Sequence, residues 1–205
     1  MFLTKYRHAI RWPLYRLPRP LRIAVDWLAT LGIAAVLVLV LETEVAKPYR
    51  IPTSSMEPTL HCAAPGSGCL GKSSDRVIAA SIVYVFRSPA RGDIVVFKAP
   101  ARAKTQCKEG GTFVKRIVGL PGEVVSERNG IVFVDGRRLL EPYVDLSRRD
   151  SMTRTWPRVP AHAYFVMGDN RAASCDSRDW GTVPRKNLIG PVVATYWPFG
   201  RLGFR

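Results

Sequence analysis

Two adjacent serines, Ser54 and Ser55, lie between two prolines in the stretch IPTSSMEPT, residues 51–59. A serine hydroxyl is a weak nucleophile unless a neighbouring base removes its proton. Histidine and lysine are the residue types in this chain that could serve as that base. The first question is therefore which basic residue the fold brings to one of these hydroxyls.

Histidine is the usual partner of a nucleophilic serine, and the chain contains His8, His61 and His162. A Ser-His-Asp triad is defined by geometry and occurs in several chain orders, so order alone excludes none of them. His61 follows the serines in an irregular loop, and His162 follows a proline before a strand-like run. Neither lies in a specialised motif, and a histidine base stays an alternative.

Lysine is the second candidate base, and the chain contains FVKRIVGLPGE, residues 113–123. In a strand, Phe113, Lys115 and Ile117 share one face and Arg116 points to the other. Two adjacent cations on opposite faces of a half-buried sheet cannot both face solvent, so we expect one of them in an apolar setting. A free lysine has a pKa near 10.4, and desolvation can lower it by several units. The pattern favours Lys115 as a base, the alternative being a surface lysine on an edge strand.

A polar segment, MGDNRAASCDSRDWGTVP, follows at residues 167–184 and is richer in hydrogen-bonding groups than a connection between strands requires. Its side chains suit the support of a lysine base: a hydroxyl to orient the head group, an ion pair to lock the loop, and a turn. The corresponding candidates are Ser174, the pair Asp176 and Arg178, and the turn residues Gly168 and Asp169.

Short runs of β-branched and aromatic residues predict a mainly β domain with a single short helix at most. Asn129-Gly130 and Asp135-Gly136 flank IVFV and predict tight hairpin turns. Residues 146–160 have little apolar content and are predicted to lie on the surface. The predicted strands are 77–86, 93–98, 112–118, 130–134, 163–167 and 189–196.

An apolar segment precedes the serines. No lysine or arginine occurs over residues 23–45, and Ile23 to Leu41 supply the roughly 20 helical residues that cross a bilayer core. Six of the 31 basic residues and no acidic residue lie in residues 1–22, so the positive-inside rule predicts a cytoplasmic N-terminus. We therefore expect a basic cytoplasmic segment (1–22), a transmembrane helix (23–45) and an extracytoplasmic β-rich catalytic domain (46–205). A cleavable signal peptide is the alternative, but the small residues of a cleavage site before Ala46 would require Glu44 at one position.

The six basic residues of the N-terminal cluster contribute to the net charge of +15. The other 25 basic residues and the 16 acidic residues are scattered along the rest of the chain. Because no dense basic helix or stacked aromatic motif is present, nucleic-acid binding is not expected.

All four cysteines follow the apolar segment, on the predicted extracytoplasmic side, where disulfides can persist. The cysteines are Cys62, Cys69, Cys107 and Cys175. They can pair in three ways, and the sequence does not choose among these, although a disulfide between Cys62 and Cys69 would close a small loop rich in Gly and Pro.

Taken together, these stretches resemble the bacterial type I signal peptidases, membrane-anchored serine endopeptidases that remove signal peptides from exported proteins. The resemblance covers nearly all of the chain after residue 20, and the overall pattern looks closest to actinobacterial enzymes. Four motifs carry it in the family's order: PTSSMEPTL (52–60), RGDIVVFKAP (91–100), FVKRIVGLPGE (113–123) and GDNRAASCDSRDWGTVP (168–184).

The resemblance implies a Ser/Lys dyad in which Ser55 is the nucleophile, Lys115 is the general base and Ser54 is not catalytic. It implies that the Thr53 hydroxyl and the Ser55 backbone N–H form the oxyanion hole. Ser174 matches the residue that hydrogen-bonds the lysine, while Asp176 and Arg178 match the supporting pair. Many members have Asp-Asn where this chain has Ala172-Ala173, so any role of those side chains is absent or reassigned here.

The family's binding mode implies that the substrate lies as an added strand between the segment before Ser55 and the strand of Lys115. Its small side chains would fill shallow pockets lined by residues such as Ile51, Pro52, Phe113 and Val114. The expected function is cleavage of signal peptides from exported preproteins at the outer face of the cytoplasmic membrane. The partners are then signal peptides and membrane lipid, with no nucleic acid, metal or other cofactor.

Two alternatives come from other classes. A membrane-tethered β-domain could bind a partner with an inert serine, and it would be indifferent to Ser55→Ala and Lys115→Ala. Self-cleaving SOS repressors resemble the family in using a Ser/Lys dyad on a related β scaffold, but they are soluble and bind DNA. The apolar segment and the absence of a helix-turn-helix pattern argue against the repressor.

Overall fold

The structure is a computed structural model and describes residues 18–40, 45–108 and 110–205. The chain divides into two units, residues 1–44 and 45–205. In the first unit, helix α1 extends over Arg19–Val40. Within the part of the chain that is described, no helix combines the length and apolar character needed to cross a membrane. The predicted transmembrane helix over 23–45 is thus unconfirmed. Outside the described residues lie most of the predicted basic segment, which includes His8, and residues 41–44.

The second unit contains a large antiparallel sheet with the strand order β1-β2-β11-β3-β4-β9-β10, and β12 pairs with β11. Its middle strands are rich in Val, Ile and Phe because both of their faces are covered. The bounds are β1 Ala46–Arg50, β2 Arg76–Ala80, β3 Ile94–Lys98, β4 Thr112–Gly119, β9 Ala163–Met167, β10 Val183–Pro184, β11 Leu188–Trp197 and β12 Gly203–Phe204.

A smaller sheet with the order β7-β6-β5-β8 inserts between β4 and β9. It confirms both predicted turns, since Asn129, Gly130, Asp135 and Gly136 all have positive φ angles between 47° and 76°. Such φ values match the twist of the flanking strands. Its strands are β5 Val125–Arg128, β6 Ile131–Val134, β7 Arg137–Arg138 and β8 Arg154–Thr155.

Three predictions about the elements are wrong. The predicted strand 77–86 ends at Ala80, which pairs with Ala46, the first residue of β1, and Val83–Phe86 form helix α2 instead. The domain also contains the short helices α3 (Ala101–Gln106) and α4 (Ser177–Trp180), more than the one expected. In the segment predicted to lie on the surface, Trp156 and Val159 are buried in the core.

Two disulfides settle the cysteine pairing. Cys62 pairs with Cys69, and Cys107 pairs with Cys175 at a sequence separation of 68. The first disulfide closes the small loop that the sequence suggested as one option. The second joins the segment between β3 and β4 to the polar segment at 167–184, a link that no local pattern indicates.

Candidate active site

Ser55 lies in a single 3-10 turn formed by Ser54–Met56. Thr53 precedes the turn in an extended conformation, so the chain enters it directly from the end of β1. Ile51 and Met56 on either side are buried in a hydrophobic cluster between the sheet strands. The turn is thus anchored at both ends, and the Ser55 side chain is left at the edge of a cavity with 9% of the residue exposed.

Asn170, which lies far from this turn in the sequence, holds it in place through two hydrogen bonds. Its side-chain amide donates to the Ser54 carbonyl oxygen at 3.0 Å, and its backbone N–H donates to the Ser55 carbonyl oxygen at 3.1 Å. Asn170 lies inside the GDNR motif, but no local pattern of the sequence predicted a role for it. The signal was its place beside Asp169 in a polar segment; its partner lies 116 residues away.

Lys115 occupies the middle of β4, directly opposite Val95 of β3, and is 5% exposed. Its ammonium nitrogen lies 6.0 Å from the centre of the Phe113 ring on the same strand face. Arg116 is also buried, at 9% exposure, so both cations are drawn in where only one was expected. The fold accepts Arg116 because it has a buried anionic partner on its own face.

That partner is Asp169, which is fully buried. Arg116 donates to its two carboxylate oxygens at 2.8 and 2.6 Å, and Thr59 donates its hydroxyl at 2.5 Å. The Arg116 guanidinium also stacks on the Tyr143 ring at 3.9 Å. A paired and stacked guanidinium tolerates burial. The Arg116–Asp169 pair therefore ties the nucleophile segment to β4 and to the polar segment.

A cavity of about 500 Å³ brings the two candidate catalytic residues together. Ser55 enters it from the 3-10 turn, and Lys115 enters it from β4. Thr53 and all four predicted substrate-binding residues line the same cavity, and they are Ile51, Pro52, Phe113 and Val114. Ala173, one of the two alanines in place of Asp-Asn, lines it as well.

The edge of β4 is open where it borders this cavity. On one side, β3 pairs with Thr112 through Arg116. On the other side, the pairing with β9 begins only at Arg116 in the described chain. The segment from Thr112 to Lys115 therefore presents backbone groups to the cavity, which is the geometry that accepts an added strand.

Thr53 lies beside the nucleophile candidate. Its hydroxyl oxygen is 3.4 Å from the Ser55 hydroxyl oxygen, and the residue is exposed to the cavity. The Thr53 hydroxyl can therefore turn toward an oxygen bound next to Ser55. Its predicted role in an oxyanion hole stays a prediction.

Asp176 and Arg178 form a buried ion pair behind Lys115. Asp176 accepts from the Arg178 Nε at 2.9 Å and from the Gly168 backbone N–H at 2.9 Å. Burial by itself raises the pKa of Asp176, but Arg178, the Gly168 N–H and Lys115 hold this pKa below its usual value. Asp176 is thus an anion, and the positively charged Lys115 is one of the groups that lower its pKa.

Arg178 also holds the backbone of the polar segment. It donates to the carbonyl oxygens of Arg171 at 2.8 Å and Ser174 at 3.2 Å, and it pairs with Asp150. Asp176 caps helix α4, which Asp179 completes as a capping box. Through these bonds, the buried Arg178 guanidinium holds the backbone of the polar segment in place.

Ser174 lies in this segment, and its hydroxyl is buried without a hydrogen-bond partner within the described part of the chain. The predicted hydrogen bond from Ser174 to the base therefore stays a prediction. Ser174 does contact the turn at Gly168, where an added Cβ would overlap its hydroxyl.

The alternative histidine bases lie elsewhere. His61 pairs its Nδ1 with the buried Glu57 carboxylate, which also accepts from the backbone N–H groups of Cys62 and Leu70. His162 lies in the turn before β9 at a φ of 59°. Among the described residues that line the cavity of Ser55, no histidine occurs. The geometry favours lysine as the base.

Comparison with known proteins identifies the family. The profile described as "Signal peptidase, peptidase S26" matches residues 24–197. The chain belongs to this family. Its relatives include Signal peptidase I of Leptolyngbya laminosa, which is 39% identical over 182 residues, 87% of this chain and 82% of that protein. Probable signal peptidase I-1 of Synechocystis sp. is 37% identical over 188 residues, 91% of this chain and 89% of that protein.

More distant relatives include Signal peptidase IB of Staphylococcus aureus strain MRSA252, 28% identical over 196 residues, 88% of this chain and 93% of that protein. Among solved structures, a signal peptidase I from Enterococcus faecalis V583 shares 31% identity, covers 52% of this chain and 97% of its own, and has a TM-score of 0.44. The expected likeness to actinobacterial enzymes stays a prediction.

Membership in the signal peptidase family makes this protein a hydrolase, a serine endopeptidase that cleaves signal peptides from preproteins. It decides against a binding domain without catalysis and against a self-cleaving repressor. The family and the cleavage of signal peptides from preproteins are thus confirmed, while the membrane location and the role of each site residue stay predictions.

Gly168 of this signal peptidase leaves no room for a side chain. An added Cβ would overlap both the Ser174 hydroxyl and the Ser55 carbonyl oxygen. We expect Gly168→Ala to displace the nucleophile turn and lower kcat/KM for preprotein cleavage by at least about tenfold, as misplacement of a reacting group by about 1 Å does. Steady-state cleavage kinetics measure the effect.

Gly200→Ala is the matched control, because nothing lies within 4 Å of an added Cβ there. It should leave kcat/KM within about twofold, as surface substitutions do. Equal activity of Gly168→Ala and wild type would show that the close approach of Gly168 to Ser55 does not hold the nucleophile in place.

Glu127 on β5 is a second buried carboxyl near the Arg178 network. It is 1% exposed, and neither carboxyl oxygen has a hydrogen-bond partner in the described residues. Burial, followed by the charge of Asp150, raises the pKa of Glu127 from 4.5 to about 7, although Arg178 and Arg171 oppose the shift. From about pH 4.5 to 7 the folded state thus keeps a proton that the unfolded state loses, and stability falls as pH rises.

We expect Glu127→Gln to remove this penalty. The substitution should raise the free energy of unfolding by about 1–3 kcal/mol at pH 8 and change it little at pH 4, where Glu127 is neutral in both states. Denaturant titrations at the two pH values measure it. Glu123→Gln is the control, because Glu123 is ion-paired with Arg91 and its loss should not stabilise at pH 8. An equal effect of Glu127→Gln at both pH values would contradict the prediction.

Proposed function

We propose that this signal peptidase cleaves preproteins by nucleophilic catalysis, with Ser55 as the nucleophile and Lys115 as the general base. One observation carries the proposal: the two side chains come from different elements, line the same cavity and are each less than a tenth exposed. Burial reduces the contact of both groups with water, and a desolvated lysine is less readily protonated than one in water.

The neighbouring charges bear on the lysine. Asp176 favours the ammonium form of Lys115, because each feels the charge of the other. However, Arg178 pairs with Asp176 through two of its nitrogens, at 2.9 Å each, and offsets its negative charge. The net field on Lys115 from the pair is therefore weaker than that of a lone carboxylate, and desolvation can keep a useful fraction of the lysine neutral.

The reaction then has two halves. Neutral Lys115 takes the proton of the Ser55 hydroxyl as its oxygen bonds to the scissile carbonyl carbon, and the lysine returns that proton to the leaving amine. Water, activated by the same lysine, then attacks the acyl-enzyme and releases the signal peptide. The developing oxyanion would be stabilised by the Ser55 backbone N–H and the Thr53 hydroxyl, which lies 3.4 Å from the Ser55 hydroxyl.

The preprotein would bind as a strand. The open edge of β4 from Thr112 to Lys115 offers backbone groups on one side of the cavity, and the segment Ile51–Thr53 lines the cavity before the nucleophile. Ile51 and Val114 belong to one hydrophobic cluster, and Phe113 stacks on Trp180 at 5.3 Å. These apolar side chains suit small side chains near the scissile bond better than charged ones.

We also propose the cytoplasmic membrane as the location, with residues 1–22 inside and the catalytic domain outside. The apolar run Ile23–Leu41 and the basic residues before it support this topology. Ser55 would then lie about ten residues beyond the membrane, where a membrane-bound signal peptide presents its cleavage site. Protease accessibility of the catalytic domain in right-side-out and inverted vesicles tests the topology.

The test of function uses the full chain purified in detergent. A preprotein with a small-x-small cleavage site should be cut once, and N-terminal sequencing of the product should find the residue after the small-x-small motif. Cleavage at other sites, or none by a well-folded protein, would contradict the proposal.

A further inference from the structure

The Cys107–Cys175 disulfide forms part of the wall of the catalytic cavity. Both cysteines line it together with Ser55 and Lys115. Both are half-buried, which leaves the disulfide accessible from the cavity side. Neither the proposed catalysis nor the strand-like binding of the preprotein requires it.

On one side the disulfide holds the described residues between β3 and β4, 99–108 and 110–111, which we call the α3 segment. Its ends are joined by a hydrogen bond from the Ala99 N–H to the Gly111 carbonyl at 2.8 Å. Ala103 is fully buried, but the other described side chains of helix α3 are exposed. Cys107, directly after this helix, packs against the core cluster and is the segment's covalent link to the polar segment.

On the other side the disulfide reaches a loop that is already fixed. Cys175 lies between Ser174, whose carbonyl accepts from Arg178, and Asp176, which pairs with Arg178. This ion-pair network would persist without the disulfide. Loss of the disulfide should therefore loosen the α3 segment much more than the loop behind Lys115.

We propose that the Cys107–Cys175 disulfide is a substrate-binding element that holds the α3 segment in place as part of the cavity wall beside the open edge of β4, so that the oxidised enzyme binds its preprotein more tightly than the reduced one. The α3 segment leads directly into Thr112, and Gly110 and Thr112 line the cavity next to Cys107. A fixed wall spares the complex the entropy of ordering this segment on binding. This inference rests on the proposed function.

The two disulfides differ in access to a reductant. Cys62 is fully buried and Cys69 is half-buried, whereas both Cys107 and Cys175 are half-buried. A dithiol such as dithiothreitol can thus reach either sulfur of Cys107–Cys175 but only one sulfur of Cys62–Cys69. The reaction balances: the dithiol gives two electrons and two protons, the S–S bond becomes two thiols, and the reagent closes to a cyclic disulfide.

The experiment compares cleavage kinetics of the full-length wild type with Cys107→Ala/Cys175→Ala, at a temperature where near-UV circular dichroism shows both folded. We expect KM to rise about tenfold, with kcat within about threefold, because binding is weakened and the dyad is kept. A merely structural disulfide would lower the melting temperature and leave KM unchanged. If the variant does not fold, dithiothreitol reduction of the folded wild type measures the same effect, as the ratio of KM between the reduced and the oxidised enzyme.

Cys62→Ala/Cys69→Ala is the matched control. Its KM should still rise about tenfold on reduction, whereas Cys107→Ala/Cys175→Ala should no longer respond to the reductant. An unchanged KM in folded Cys107→Ala/Cys175→Ala, or a fall in kcat alone, would overturn the inference while wild-type cleavage upholds the proposed function. Absence of cleavage by the oxidised wild type would remove both.

Discussion

Ser55→Ala is expected to abolish preprotein cleavage, with kcat lowered by more than about 10³-fold. Of the two adjacent serines, Ser55 is the one that lines the cavity, and its carbonyl oxygen is fixed by the Asn170 N–H at 3.1 Å. The loss of one hydroxyl from a residue with 9% exposure should barely change the fold. Product formation followed by gel electrophoresis, with folding checked by circular dichroism, measures the effect.

Ser54→Ala is the control on the neighbouring residue. Ser54 is held through its backbone carbonyl, which accepts from the Asn170 side chain, and this bond does not need the hydroxyl. Ser54 is not among the residues that line the cavity. We therefore expect Ser54→Ala to retain cleavage within about threefold, as variants outside the special mechanisms do. Cleavage that survives in Ser55→Ala would exclude Ser55 as the nucleophile.

Lys115→Met should lower kcat by about 10²–10⁴-fold, which is the contribution of a general base. Methionine matches the apolar stem of the lysine and suits a site that is only 5% exposed, so the fold should tolerate it. Lys115→Arg should be just as inactive, because an arginine keeps its proton throughout the working pH range. Wild-type activity should fall as the pH is lowered and Lys115 takes up a proton.

Lys98→Met is the control for removing a lysine from the same sheet, because Lys98 ends β3 with an exposed side chain. It should leave the kinetics and the pH profile unchanged. A wild-type pH–rate profile that is flat through the acidic limb, or near-normal cleavage by Lys115→Met, would contradict the assignment of the base.

Local patterns in the sequence predicted much of the fold correctly. The predicted strand 163–167 matches β9, and 112–118 falls within β4, since alternation of apolar residues is a property of neighbouring positions. The turns at Asn129-Gly130 and Asp135-Gly136 were equally local, because positive φ angles select such residues. The same patterns misassigned Val83–Phe86, whose composition suits a strand.

The reason for that error is tertiary. A strand continues only while a neighbour pairs with it, and among the described residues the pairing of β1 with β2 ends at Ala80. Tyr84 then finds a place in the core and donates its hydroxyl to Asp93 at 3.1 Å, which a short helix permits. Burial of both Lys115 and Arg116 was missed for a related reason, since the partner Asp169 lies 53 residues from Arg116.

The sequence by itself determined the family and predicted the chemistry, from a serine in SSM, a lysine inside an apolar strand and a polar segment typical of signal peptidases. These features depend on residue type and short spacing. The tertiary structure alone decided which side chains meet: Asn170 at the Ser55 turn, Cys107 with Cys175, and the edge of β4 left open beside the cavity. Such contacts join residues dozens of positions apart, and they follow from the packing of the whole sheet rather than from any local pattern.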